Sequence, residues 1–183
     1  MTLLFVRHGQ TDWNAKRLIQ GRTDIPLNET GREQAKTQAA ALAGRAIDII
    51  YTSPMLRARE MAEIINQPLG LPLRFDDRLV ERCYGDFEGT DPECSHSEFE
   101  RALLQNGGES LAELHGRVLR FLEDITAAHA GQTVLVVAHG GVGRMVQYCY
   151  RGEKPVRIEN GTVMHFEGRL AGLVPLPITL MEG

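Results

Sequence analysis

The sequence predicts an α/β fold, a three-layer α/β/α sandwich around a mostly parallel, mixed central sheet. Two observations carry this expectation. Short apolar runs rich in β-branched residues alternate with segments of helical period. The last two such runs are joined by only Glu167-Gly168-Arg169, the length of a hairpin connection that would add antiparallel strands at the end of the chain.

Taken in order, Leu3–Val6 reads as the first strand, and it ends abruptly in Arg7-His8-Gly9. Asn28 can cap a helix from Glu29 to about Ala43. Ile47–Tyr51 is the second strand; Ser53-Pro54 then offers a capping hydroxyl before a proline at the first helical position, which puts Arg57 in that helix's first turn. Leu71–Phe75 is a third strand. The stretch Gly89–Ser97, GTDPECSHS, lacks periodicity and reads as an irregular lid before a short helix, the lid segment as a whole covering about 89–106. Leu111, Leu114, Val118, Leu122 and Ile125 recur every three or four residues, so Glu109–Ala128 is an amphipathic helix with Ser110 as its cap. Thr133–Ala138 is the next strand and runs into His139-Gly140-Gly141, followed by the final pair Thr162–Phe166 and Leu170–Leu173.

Bulk properties bound the function. With 183 residues, 43% of them hydrophobic, the chain is expected to form one domain over 1–183. A net charge of −4 and no Lys/Arg run longer than a dipeptide leave no electrostatic footprint for nucleic acid or anionic lipid. Cys83, Cys94 and Cys149 are odd in number and show no CxxC spacing, which argues against a disulfide framework or a zinc ribbon and for a reduced setting. The N-terminal apolar run is five residues long and meets Arg7, short of a signal peptide, and no later run approaches a membrane span; a cytoplasmic location is expected.

In parallel α/β sheets ligands gather beyond the carboxyl ends of the strands. There this sequence places Arg7, His8, Arg57 and His139, two guanidiniums and two imidazoles. Singly, a lone His is more often a hydrogen-bonded structural residue and an Arg after a strand more often a surface salt bridge. Together, two arginines without an evident acidic partner call for an anion, and a phosphate dianion is the simplest. Gly141-Val142-Gly143-Arg144-Met145-Val146 resembles a dinucleotide fingerprint, but its third glycine position is Val146 and no acidic residue follows at the required place, so the glycines are read as a tight strand-to-helix turn whose amides face an anion. Glu93-Cys94-Ser95-His96 fits no zinc spacing, and no carboxylate cluster suggests magnesium; no metal and no cofactor are expected. His115, His129 and His165 are assigned structural or surface roles.

Arg7-His8-Gly9-Gln10-Thr11 with Asn14 resembles the signature of the histidine phosphatase superfamily, also called phosphoglycerate mutase-like. The resemblance runs nearly the whole chain: Ser53-Pro54 with Arg57-Ala58, Glu81 with Gly85-Asp86-Phe87-Glu88-Gly89, Gly107-Gly108-Glu109-Ser110, and Val137-Ala138-His139-Gly140-Gly141. It implies that His8 is the nucleophile of a phosphohistidine mechanism. It also implies that Arg7, Arg57 and His139 hold the phosphoryl oxygens, with Asn14 and the Gly140 amide as further donors, and that Glu81 is the general acid and then base. Arrival of a phosphate dianion beside Glu81 offsets the arginines and favours its protonated form, so activity is expected to be best on the acidic side of neutral.

Relatives of this kind include phosphoglycerate mutases, fructose-2,6-bisphosphatase-like, α-ribazole phosphatase-like and broad phosphomonoester phosphatases, and some binding proteins that have lost catalysis. Only seventeen residues, Thr90–Asn106, separate Gly89 from Gly107-Gly108-Glu109-Ser110. So short a cover leaves a phosphohistidine open to water and favours a phosphatase acting on a small phosphorylated metabolite over a mutase. Retention of both nucleophile and acid speaks against a pure binder. The apolar, proline-broken end PLPITLMEG could pack on a second copy in a homodimer or on its own sheet.

Overall fold

The computed structural model describes residues 1–91 and 96–170, the side chains of 96 and 97 excepted. Five strands form one sheet: β1 (Thr2–Arg7), β2 (Ile49–Thr52), β3 (Leu73–Phe75), β4 (Thr133–Ala138) and β5 (Val163–Phe166), in the order β3-β2-β4-β1-β5. All neighbours are parallel except β5, which runs antiparallel to β1. The expected mixed sheet is therefore observed, with β5 paired on β1; Ala171–Leu173, the rest of the anticipated hairpin partner, and PLPITLMEG lie outside the described residues.

The central strands are apolar on both faces because both faces are covered. On one side Leu3, Phe5, Val134 and Val136 pack with Val118, Leu122 and Ile125 of α5 (Leu111–Ala128) and Val142, Met145 and Val146 of α6 (Gly140–Arg151). On the other, Leu4, Val6, Ile50 and Leu135 pack with Ala35 and Leu42 of α2 (Glu29–Leu42) and Met61, Ala62 and Ile65 of α3 (Leu56–Asn66). Among the described residues a four-residue α1 (Asp12–Ala15) and α4 (His96–Gln105) are the remaining α-helices, with short 3-10 turns at Asp77–Leu79 and Gly85–Phe87.

Local chemistry explains the ends. Asn28 accepts from the Gly31 amide and Ser110 caps α5, both as expected; Glu113 returns the Ser110 bond in a reciprocal capping box not anticipated from the sequence. The helix after Ser53-Pro54 begins later than expected, at Leu56. Ser53 is not its cap: the cap position is Met55, the Ser53 hydroxyl reaches only the Met55 amide, at 3.3 Å, and His139, at 2.8 Å, and Asp24 accepts from the Leu56 amide at 2.7 Å. Part of the anticipated lid is helical: in α4, Leu103 is buried, Phe99 meets the Phe87 ring at 5.0 Å and Glu100 pairs with Arg82. Pro92–Ser95, with most of Glu93-Cys94-Ser95-His96, lies outside the described residues.

Candidate active site

The carboxyl ends of β1, β2 and β4 bring the expected residues to one edge. Arg7 closes β1 and His8 follows it; Arg57 stands in the first turn of α3; His139 is the residue between β4 and α6. His8, Arg57 and His139 are all buried, and the His8 and His139 rings lie edge to face with centroids 5.2 Å apart.

Hydrogen bonding fixes what each ring can do. Nδ1 of His8 lies 2.7 Å from the Gly9 carbonyl oxygen, which can only accept, so Nδ1 carries the proton and Nε2 is left with its lone pair. Nε2 of His139 lies 2.8 Å from the Ser53 hydroxyl, which already accepts from the Met55 amide at 3.3 Å. The Ser53 hydroxyl has no other acceptor among the described residues; with its hydrogen directed to Nε2, the proton of a neutral His139 ring sits on Nδ1, which is buried and without a partner. Burial, followed by Arg57 and then Arg7, holds His8 well below the ordinary imidazole range. Burial, then Arg57 and His8, does the same to His139. Both are neutral at pH 7.

The arginines are oriented by carbonyls rather than carboxylates. Arg57 donates to the Gly21 and Thr23 carbonyls at 2.7 and 3.0 Å, and Arg7 to the Ile158 carbonyl at 2.5 Å. Their Nε–H groups are buried and unpartnered. Burial lowers both guanidinium pKa values, while Glu81 acts in the opposite direction on each. Three buried nitrogens without partners, Arg7 Nε, Arg57 Nε and His139 Nδ1, thus belong to residues at the same sheet edge as His8. Buried donors without acceptors are costly, and an oxyanion relieves them.

Glu81 forms no ion pair with Arg57 or Arg82. Its Oε1 accepts from the Arg82 amide at 2.8 Å and its Oε2 from the Gly141 amide at 3.0 Å, the latter in the first turn of α6. The guanidinium of Arg82 turns away to grip Glu100 with two bonds of 2.7 Å. Glu88 accepts from Arg22 N, Thr23 N, Thr23 Oγ1 and Tyr84 N, tying the segment that orients Arg57 to the segment that carries Glu81. The Gly140 amide opens α6 beside Arg7, whose Nε would be 3.4 Å from a Cβ at Gly140. Among the described residues no group of three or more His, Cys, Asp or Glu side chains has the arrangement of a metal site.

Asn14 also borders the cleft containing His8 and Arg57. Its Oδ1 accepts from the Thr11 amide and from Asn160 Nδ2, each at 3.2 Å, which leaves its own amide hydrogens for the cleft. Asn160 also donates to the His8 and Gly9 carbonyls at 2.9 and 3.3 Å. It went unnoticed in the sequence. The available signal was the turn dipeptide Asn160-Gly161 just ahead of a final strand, which an antiparallel neighbour of β1 delivers to the tip of β1. The histidines set aside stay outside this cleft: His115 meets the Tyr148 ring, His129 bonds Tyr51 and Gln132, and exposed His165 pairs with Glu167.

Known proteins carry the same arrangement of elements. The chain is 44% identical over 135 residues to an uncharacterised phosphatase, PhoE, of Bacillus subtilis, covering 74% of this chain and 69% of that protein. It is 38% identical over 156 residues to a 2,3-bisphosphoglycerate-dependent phosphoglycerate mutase of Rhizobium rhizogenes, covering 76% and 74%. The solved structure of a mycobacterial glucosyl-3-phosphoglycerate phosphatase in complex with VO3 superposes with a TM-score of 0.79 at 27% identity, over 92% of this chain and 91% of that one. The profile of the histidine phosphatase superfamily, branch 1, matches residues 3–167, and to that superfamily the chain belongs.

Proposed function

We propose that this chain, as one domain, hydrolyses small phosphomonoesters through a phosphohistidine at Nε2 of His8. The observation that carries the reading is the His8 ring, its Nδ1 at hydrogen-bond distance from the Gly9 carbonyl, at the same sheet edge as Arg7, Arg57 and His139, each of which carries a buried and unpartnered nitrogen.

In the first step the Nε2 lone pair attacks phosphorus and the ester P–O bond breaks. Glu81 gives its proton to the departing alkoxide. Arg7, Arg57, the Nδ1–H of His139, the Asn14 amide group and the Gly140 N–H stabilise the charge spread over the phosphoryl oxygens. In the second step Glu81, now a carboxylate, takes a proton from water; the resulting hydroxide attacks phosphorus, the P–N bond breaks, and neutral His8 and phosphate are released. Each Glu81 oxygen accepts one backbone hydrogen bond and keeps a lone pair for the proton it moves.

The short segment between Gly89 and Gly107 supports hydrolysis over return of the phosphoryl group to a retained product. Cys83 and Cys149 are free thiols, and no described helix is long and apolar enough to cross a membrane, both in keeping with a cytoplasmic setting.

Phosphate release from p-nitrophenyl phosphate and from a panel of metabolite esters, with chelator present, tests the reading. Wild type should turn over and His8→Ala should lose activity by several orders of magnitude, with an acid-labile phosphoryl group trapped on wild type alone. Equal release by the two proteins, or a phosphoryl group on another residue, would overturn it.

A further inference from the structure

Next to Glu81 in the chain stands a permanent charge that is out of water. The Arg82 side chain is only 3% exposed and its guanidinium lies over the Tyr84 ring at 5.6 Å. Its Nε donates to the Glu109 carbonyl at 2.7 Å, and its two terminal nitrogens grip the two carboxylate oxygens of Glu100, each at 2.7 Å. Glu100 belongs to α4, which has a seat of its own. Leu103 is buried, its carbonyl accepts from the Gly108 amide at 2.9 Å, and a Cβ at Gly108 would overlap the Leu103 side chain.

The bidentate pair also decides where the Arg82 charge does not go. Glu81 and Arg82 border the same cleft as His8, and Oε1 of Glu81 already accepts from the Arg82 amide. A buried guanidinium that loses its carboxylate is left uncompensated, which is costly, and it turns to another. The carboxylate of Glu109 is taken by Arg117 through bonds of 2.6 and 2.9 Å, and that of Glu88 by three backbone amides and the Thr23 hydroxyl. Glu81, adjacent in the chain and already against the Arg82 amide, is the carboxylate the guanidinium would then meet. An ion pair there favours the charged form of Glu81 and withholds the proton that a leaving oxygen needs.

On the reading of Glu81 as acid and base given above, we infer that Glu100 is a positioning residue: by holding the Arg82 guanidinium away from Glu81, it makes the docking of α4 a condition for protonating the leaving group.

A series of substituted phenyl phosphates tests this, because a poor leaving group such as phenolate depends on the acid whereas p-nitrophenolate depends on it little. In Glu100→Gln, which keeps the shape of the side chain, kcat/KM should fall about 10- to 100-fold for phenyl phosphate, part of the worth of a general acid, and much less for p-nitrophenyl phosphate. Glu81→Gln should show the same steepened dependence on the leaving group in full, and adding Glu100→Gln to it should cost little more. Arg82→Met/Glu100→Leu, apolar on both sides and without the guanidinium, should fold and regain most of the loss on phenyl phosphate. A crystal structure of Glu100→Gln should place Arg82 within ion-pair distance of Glu81, and it decides the displacement even if no ester is hydrolysed. An even loss across all esters in Glu100→Gln, a steep dependence that persists in the double variant, or a guanidinium that stays in place without Glu100 would each overturn the proposal and leave the reading of Glu81 standing. A Glu81→Gln variant with no steepened dependence would sink the acid role of Glu81, and the positioning role with it.

Discussion

The amide of Gly141 donates to Oε2 of Glu81 at 3.0 Å, and a Cβ at Gly141 would lie 2.4 Å from Oε1 of the same carboxylate. The first turn of α6 and the proposed acid/base are therefore fitted to each other, and no side chain can stand between them. Since the clash is with the flexible end of Glu81 rather than with backbone, Gly141→Ala should fold, with a Tm close to wild type. The displaced carboxylate should cost about 10²–10³-fold in kcat, the scale of losing positioned proton transfer. A drop of several degrees in Tm with kcat retained would show instead that the glycine serves packing.

Ser53 decides which nitrogen of His139 carries the proton. Removing its hydroxyl in Ser53→Ala leaves Nε2 without a donor and frees the ring to take the other tautomer. The expected result is a kcat/KM lower by about 10- to 100-fold, the worth of one charge-directed hydrogen bond. The 15N chemical shifts of the His139 ring should show Nδ1 protonated in wild type and a mixture in the variant. Identical tautomers in both proteins would remove Ser53 from this role.

Asn160 acts on the site through Asn14. It supplies one of the bonds that hold the Asn14 amide oxygen away from the cleft, and it bonds the His8 and Gly9 carbonyls behind the nucleophile. Asn160→Ala should weaken binding of inorganic phosphate by about tenfold, and in an Asn14→Ala background that loss should shrink by at least half. Such coupling, about 0.5–3 kcal/mol, is the signature of residues in one network. Losses that simply add would mean that Asn160 only stiffens the loop.

The fold was legible because each strand ends in an abrupt change from apolar to polar or glycine, as at Val6-Arg7-His8 and Ala138-His139, and because parallel strands bring such ends to one edge. The helix starts at Asn28 and Ser110 were legible for a local reason, since cap and capped amide lie three residues apart. Ser53 was misread because its hydroxyl serves a histidine 86 residues away, which no local pattern encodes. The same holds for Asn160, which bonds His8 across 152 residues, and for the Arg82–Glu100 pair that docks α4.

The two neutral histidines also set how stability responds to acid. Each is buried and held well below its ordinary value in the folded chain, whereas in the unfolded chain it titrates near pH 6.5. Well above pH 6.5 neither state binds these protons and the pair has no effect on the pH dependence. As pH falls below that value the unfolded chain takes up two protons that the folded chain refuses, so stability declines. The slope should approach about 1.4 kcal/mol per pH unit for each histidine, about 2.7 for the pair. His115, also lowered by burial, adds in the same direction. Unfolding free energies from urea titrations between pH 7 and pH 5 should fall toward this steepness in wild type and less steeply, by up to about 1.4 kcal/mol per pH unit, in His139→Asn, once the variant's own stability at pH 7 is subtracted. Turnover should report the opposite face of the same shift. Because burial and the two arginines hold His8 well below the ordinary imidazole range, kcat/KM should persist on the acidic side of neutral as long as the protein stays folded, and an acid limb centred at pH 6.5 would show that the ring is less shielded than its surroundings require.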